Sequence, residues 1–371
     1  MAGLYLHIPF CQSRCVYCGF FSTTSLAMRQ RYTDALCREM SLRPWAHGSV
    51  DTVYLGGGTP SQLLPEQLQQ LFAYIYNIYN VSDQAEVTME CNPDDLTPAF
   101  AEALRRLPVN RVSMGAQTFS DSRLRFLRRR HRASQVSQAV ALLRDAGIAN
   151  ISIDLMYGFP GETLAEWHCD IDAALALGAD HLSAYALTYE EGTPLCSMLQ
   201  KGQVSELDEE LQRQMYYDLK DRLEAAGYEH YELSNFARPG RRSRHNSGYW
   251  NHTPYVGLGA GAHSFDGSRR QWNVADLTAY VEATEHGSVP AEGETLDADT
   301  LYDEMVMTRL RTADGLPLRL LTAERRAYCL AQARRFLDGG LLTLHDDVLR
   351  LSRQGLFVSD MVMADLMASI P

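Results

Sequence analysis

Three cysteines, Cys11, Cys15 and Cys18, stand within eight residues at the end of a short apolar run from Leu4 to Phe10. A loop leaving a strand can fold back far enough to aim three sulfurs at one metal centre. A tetrahedral zinc would need a fourth ligand, and the nearest candidate, His7, lies inside the apparent strand rather than on the loop. An iron-sulfur cube would use three thiolates for three irons and leave the fourth iron open for chemistry.

Such a loop needs a scaffold, and the chain supplies strand-like runs rich in Val, Ile, Leu and Tyr that alternate with helical stretches. The runs are Leu4–Phe10, Thr52–Leu55, Glu86–Glu90, Arg111–Gly115, Ile151–Tyr157 and His181–Leu187. Between them come helices such as Leu26–Leu42, Pro65–Tyr79 and Ala133–Ala146. This α/β order predicts a parallel sheet with helical crossovers, and six units make a partial (β/α)6 barrel, where chemistry gathers at the C-terminal strand ends. The runs lead into polar or glycine-rich residues there: the cysteine loop, Gly56-Gly57-Gly58-Thr59-Pro60, Glu90-Cys91-Asn92-Pro93, Gln117, Asp154 and Tyr189.

With 371 residues, 46% of them apolar, the chain suits a large domain and a smaller one. Its formal charge of -12 argues against a nucleic-acid surface, which needs clustered Lys and Arg. Cys37, Cys91, Cys169, Cys196 and Cys329 lack regular spacing and read as reduced core thiols. Without a signal segment or a span of about 18 apolar residues, the expected location is cytoplasmic, with transient membrane contact allowed.

The spacing C-x-x-x-C-x-x-C, with Tyr17 before the last cysteine, resembles the cluster motif of the radical S-adenosylmethionine (SAM) superfamily. The context Leu4-Tyr5-Leu6-His7-Ile8-Pro9-Phe10-Cys11 is similar to the branch that holds the oxygen-independent coproporphyrinogen III oxidases and the HemW-like haem chaperones. The resemblance implies a [4Fe-4S] cluster on Cys11, Cys15 and Cys18 whose open iron chelates SAM. In the superfamily an electron from that cluster splits SAM to methionine and an adenosyl radical.

It further implies that Gly57, Gly58 and Thr59 meet the amino and carboxylate end of SAM. Glu90, Gln117, Arg129 and Asp154 fall on its other contact positions, with Tyr5 and Tyr17 around the cluster and methionine. Each has a plainer reading as a tight turn, a cap, a core amide or aromatic packing, and most of the run Arg125–Arg132 reads as a solvated face. No Lys follows the glycine triplet, so a phosphate-cradling loop is not supported.

A second region follows the helical stretch Glu206–Ala225. His245-Asn246-Ser247-Gly248-Tyr249-Trp250 matches the H-N-x-x-Y-W motif of HemW-like proteins, which implies that His245, Asn246, Tyr249 and Trp250 bind haem. Arg238, Arg241, Arg242 and Arg244 precede it and could neutralise propionates. Gly257–Ala262 mimics a dinucleotide fingerprint, but no strand-helix unit with a later acidic residue frames it.

The expected division is a barrel core at 1–237, a haem-site region at 238–296, and a small helical, winged-helix-like domain at 297–371. The oxidases carry a further cysteine where this chain has Phe20, and an extension where this chain has ten residues before Cys11. Both departures favour a haem chaperone over coproporphyrinogen dehydrogenation. The implied partners are haem, acceptor haemoproteins such as membrane respiratory proteins, and an electron donor such as flavodoxin or ferredoxin.

Overall fold

The computed structural model describes residues 2–44 and 48–367. Six parallel strands run side by side in chain order: β1 (Gly3–Ile8), β2 (Val50–Gly57), β3 (Val81–Cys91), β4 (Arg111–Gln117), β5 (Asn150–Tyr157) and β6 (His181–Ala186). Helices Arg29–Leu42, Pro65–Ile78, Pro98–Leu104, Ala133–Asp145 and Leu164–Ala176 lie in the successive crossovers.

Alternation along each strand explains the layering. Leu4, Leu6 and Ile8 of β1, Val53 and Leu55 of β2, Val87 and Met89 of β3 and Ile151 and Ile153 of β5 join one core with helix residues such as Leu36, Leu71 and Val140. The intervening positions carry Tyr5 and His7, Tyr54, Thr88 and Glu90, Ser113, and Ser152 and Asp154. This stripe is polar and faces the barrel interior.

The sheet is larger than the six expected strands. β7 (Glu229–Glu232) and β8 (Asn235–Ala237) close its far side, with β8 antiparallel to β6. On the near side β9 (Tyr255–Leu258) pairs in parallel with β1, followed by antiparallel β10 (His263–Phe265), β11 (Arg269–Asn273) and β12 (Ala291–Thr295). The glycine segment 257–262 therefore turns from strand to strand rather than from strand to helix, which agrees with rejecting a dinucleotide fingerprint.

A buried ion pair ties this addition to the first helix. Glu39, fully buried, accepts from Arg43 Nη1 at 2.9 Å, Gly259 N at 2.7 Å, Asn273 Nδ2 at 2.8 Å and Tyr280 Oη at 2.5 Å.

Helices Ala298–Leu310, Ala323–Asp338 and Ser359–Leu366 pack with a three-stranded sheet, Leu316–Pro317, Leu342–His345 and Val348–Leu351, around a second core that includes Val306, Leu316, Phe336, Leu349 and Val362. The hairpin turns at Asp346 and Asp347, both at positive φ (52° and 63°), as a two-residue turn of matching twist requires. Of the five cysteines read as core thiols, Cys37, Cys91 and Cys329 are buried; Cys169 is exposed and Cys196 half-buried on outward helix faces, and all are free. Among the described residues no helix is long and apolar enough to cross a membrane.

Glu39→Ala would leave the buried Tyr280 Oη–H and Gly259 N–H without their acceptor and take one acceptor each from Arg43 and Asn273. The expected loss is about 3–5 kcal/mol of stability, read as a lower midpoint in urea denaturation.

Candidate cluster and cofactor site

The cysteine loop is pinned at its base and at its tip. Cys11 N donates to Thr23 O at 2.9 Å and Thr23 N to Pro9 O at 2.7 Å, closing the base. At the tip Val16 is buried with Leu127, Met156, Phe159, Leu187 and Leu195, and its backbone bonds Leu127 O and Leu195 N. Burying Val16 leaves Cys15 and Cys18 half-exposed on either side of it.

Two polar groups address the sulfurs. Thr59 Oγ1 lies 3.6 Å from Cys11 Sγ, and Arg129 Nη1 donates to Cys15 Sγ at 3.7 Å. The same guanidinium donates through Nη2 to Asn92 Oδ1 at 2.8 Å and Gly115 O at 2.6 Å, which fixes its plane. Its neighbour Arg130 turns outward to Asp94 and Asp95, so of these two it is Arg129 that enters the site.

The zinc reading loses its fourth ligand. His7 Nε2 donates to Phe21 O at 2.9 Å, which leaves Nδ1 to accept from Tyr5 Oη at 3.0 Å. Among the described residues no three His, Cys, Asp or Glu donors converge as they would on a single ion. Three free thiols on one loop, Cys11 beside a hydroxyl and Cys15 beside a guanidinium, suit a cluster, on which each thiolate would hold its own iron.

The glycine triplet is imposed by packing as well as by any ligand. A Cβ on Gly57, at φ +108°, would stand 2.5 Å from the His7 ring, and one on Gly58 would stand 2.7 Å from Pro9 C. This close approach brings Gly57 N to Glu90 Oε2 at 3.1 Å, while Tyr54 Oη donates to Oε1 at 2.7 Å. Burial pushes the Glu90 carboxyl up to about 7, against the two hydrogen bonds that favour its charge. Asp154 is also raised by burial; Ser183 and Ser113 hydroxyls oppose the shift.

Gln117 lies at φ +67°, where the β4 register shifts, and its Nε2 approaches Gly115. Tyr17 packs beside the Val16 cluster. Tyr5 sits deeper, its ring 6.2 Å from that of Tyr54. Phe20, 70% exposed, brings no thiol to the loop.

The H-N-x-x-Y-W segment lies at the opposite mouth. Residues Arg244–Trp250 form a short helix against the starts of the strands, with Glu86 accepting from the backbone N of Arg244 and His245. His245 is buried and both its nitrogens are engaged, Nδ1 with Thr52 Oγ1 at 2.8 Å and Nε2 with Tyr249 Oη at 2.9 Å. Burial and then Arg111 lower its pKa to about 3. Asn246 is half-buried on that helix, and its N takes the Ser243 cap.

The preceding arginines are committed within the chain: Arg238 over the Tyr228 ring, Arg241 to Asp180, Arg242 to Glu229 and Asp314, and Arg244 to Gln84 O. Sequence reading missed Tyr54, Ser113, Ser183 and the buried Arg111, and placed Asn92 at a strand end without giving it a role. Their signal was the polar residue at every second strand position, which marks a barrel with a polar interior.

Residues 5–173 match the radical SAM superfamily and residues 296–358 the HemN C-terminal domain. Over 98% of this chain and 94% of the relative, it is 37% identical to heme chaperone HemW of Mycobacterium tuberculosis. The chain belongs to the HemW family of radical SAM proteins. Heme chaperone HemW of Bacillus subtilis is 36% identical over 84% of each chain. The fold matches that of coproporphyrinogen III oxidase (HemN) from Escherichia coli at TM-score 0.86 and 22% identity, covering 100% of this chain and 90% of that one. Superfamily membership implies a [4Fe-4S] cluster and SAM.

Cys15→Ala is expected to lower the iron of anaerobically reconstituted protein well below the roughly four per chain of an intact cube, measured by iron assay. Glu90 gives a second outcome. Its carboxyl titrates near about 4.3 in the unfolded chain and higher in the fold, so between those values the native state holds a proton that the unfolded state has released. Stability therefore falls as pH rises from about 4.5 to 7. By this group's share, on the order of 3 kcal/mol, Glu90→Gln should show a shallower fall in urea melts of cofactor-free protein.

Proposed function

We propose that this chain is a haem chaperone that holds a [4Fe-4S] cluster on Cys11, Cys15 and Cys18, binds SAM beside it, and delivers haem to acceptor haemoproteins. The observation that carries the reading is 37% identity to a relative named heme chaperone HemW along 98% of the chain. Exposed Phe20, where the resembled oxidases have a cysteine, supports a carrier over a decarboxylating enzyme.

When bound, the reduced cluster supplies one electron for SAM. Arg129 holds Cys15 and Asn92 in place, and the Gly57 N–H, by donating to Glu90, fixes that carboxyl at the upper mouth. On this reading residues 1–237 serve cluster and SAM, 238–296 serve haem, and 297–371, whose last four residues lie outside the described residues, cover the haem region from one side. Acceptors include membrane respiratory haemoproteins, and flavodoxin or ferredoxin supplies the electron.

The test is an anaerobic assay of reconstituted protein with SAM and dithionite, given coproporphyrinogen III and haem in parallel. Stoichiometric haem uptake without decarboxylated porphyrin is expected. Conversion of coproporphyrinogen III would overturn the carrier reading.

A further inference from the structure

We infer that His252, not the motif residue His245, supplies the ligand to the iron of bound haem, through Nδ1, in the cleft between residues 249–255 and the helix Ala298–Leu310. The inference rests on the carrier reading above and names the seat of its cargo.

A cavity of about 350 Å³ opens here, within the roughly 300–1,000 Å³ of small-molecule sites. Trp250, Tyr255 and Phe265 offer apolar ring surface to a flat macrocycle, and the C-terminal domain contributes Thr308 and Glu304 from the facing helix. A smaller cavity of about 230 Å³ adjoins it and shares Tyr249 and Tyr255, but its one histidine is His245.

The imidazoles differ in what they can give. His245 has hydroxyl partners on both nitrogens, so ligating iron would require breaking a buried hydrogen bond. His252 Nε2 lies 2.9 Å from Thr308 Oγ1, and the backbone carbonyl of Glu304 is a second acceptor beside the ring. That hydroxyl spends its single hydrogen on Glu304 O at 2.7 Å, so it must accept from His252 Nε2–H. The neutral ring is thereby favoured as the Nε2–H tautomer, which leaves its lone pair on Nδ1. A ligating imidazole oriented by a hydrogen bond through its other nitrogen is the usual arrangement at protein-bound metals.

Two further features fit a dicarboxylate macrocycle. Arg270 lines the cavity, one-third exposed and paired to Glu304 at 2.5 Å, and a propionate can compete for it. Trp250 lines the cavity, and its Nε1–H is buried without an acceptor among the described residues. His252 itself is held at φ +56°, a conformation that is uncommon in non-glycine residues and that gathers at ligand sites.

The experiment is a ferric-haem titration of the full chain, followed by absorption and electron paramagnetic resonance. Wild-type protein and His245→Gln should show imidazole ligation. His252→Gly should lose it and regain it when free imidazole is added. Glycine adopts positive φ without strain, so this variant is expected to fold; His252→Cys, which should replace the imidazole signature with a thiolate one, is the second check. An unchanged imidazole signature in folded His252→Gly, or its loss in His245→Gln alone, would overturn the assignment while leaving the carrier reading intact. Wild-type protein that takes up no haem would overturn both.

Discussion

Charge held inside the barrel governs this structure. Glu90, Asp154, Arg111 and Arg129 all point into a space from which the surrounding strands exclude most water, and a buried charge must be solvated by partners or neutralised. Tyr54, Gly57 N–H, Ser113 and Ser183 address the two carboxylates, while Asn92, Gly115 O and the cysteine loop receive Arg129. The Gly57 contact exists because Gly57 and Gly58 allow β2 to run against the end of β1, so the glycine segment serves the charge balance as well as the loop. Satisfaction is incomplete at one level: Thr88 Oγ1, Arg111 Nε and Asn150 Oδ1, on neighbouring strands, have no hydrogen-bond partner among the described residues.

The two mouths of the barrel are built for different tasks. At the C-terminal ends the strands stop in loops, so half-exposed thiols sit above a polar funnel. At the N-terminal ends the short helix Arg244–Trp250 stoppers the barrel, its first N–H groups on Glu86 and its histidine between Thr52 and Tyr249. Tyr54 joins the two levels, its hydroxyl on Glu90 and its ring 5.1 Å from that of His245. The cysteine loop and the motif histidine are thus separated by the depth of the barrel, connected by the stacked rings of Tyr54 and Tyr5.

The C-terminal domain has its own core yet does not stand apart. Arg270 to Glu304, His252 to Thr308 and Arg309 to Asn251 join it to the segment that follows the motif, and Arg353 to Asp221 joins it to the barrel's outer helix. The first two of these contacts lie in the wall of the larger cavity.

The sequence by itself determined the α/β order, six parallel strands, the grouping of Cys11, Cys15 and Cys18 on one loop and the placing of Glu90, Gln117 and Asp154 at or near strand ends, because spacing and alternation are local properties. It also determined that Phe20 withholds a fourth thiol. Only the tertiary structure decided that 255–295 continue the sheet, since β9 finds its partner in β1 more than 240 positions away. It alone showed that Arg129 and not Arg130 faces the thiols, that His7 is spent on Tyr5 and Phe21, and that His245 lies buried with both nitrogens occupied. A side chain's availability for chemistry depends on which distant groups have already claimed its hydrogen bonds, and no motif records that.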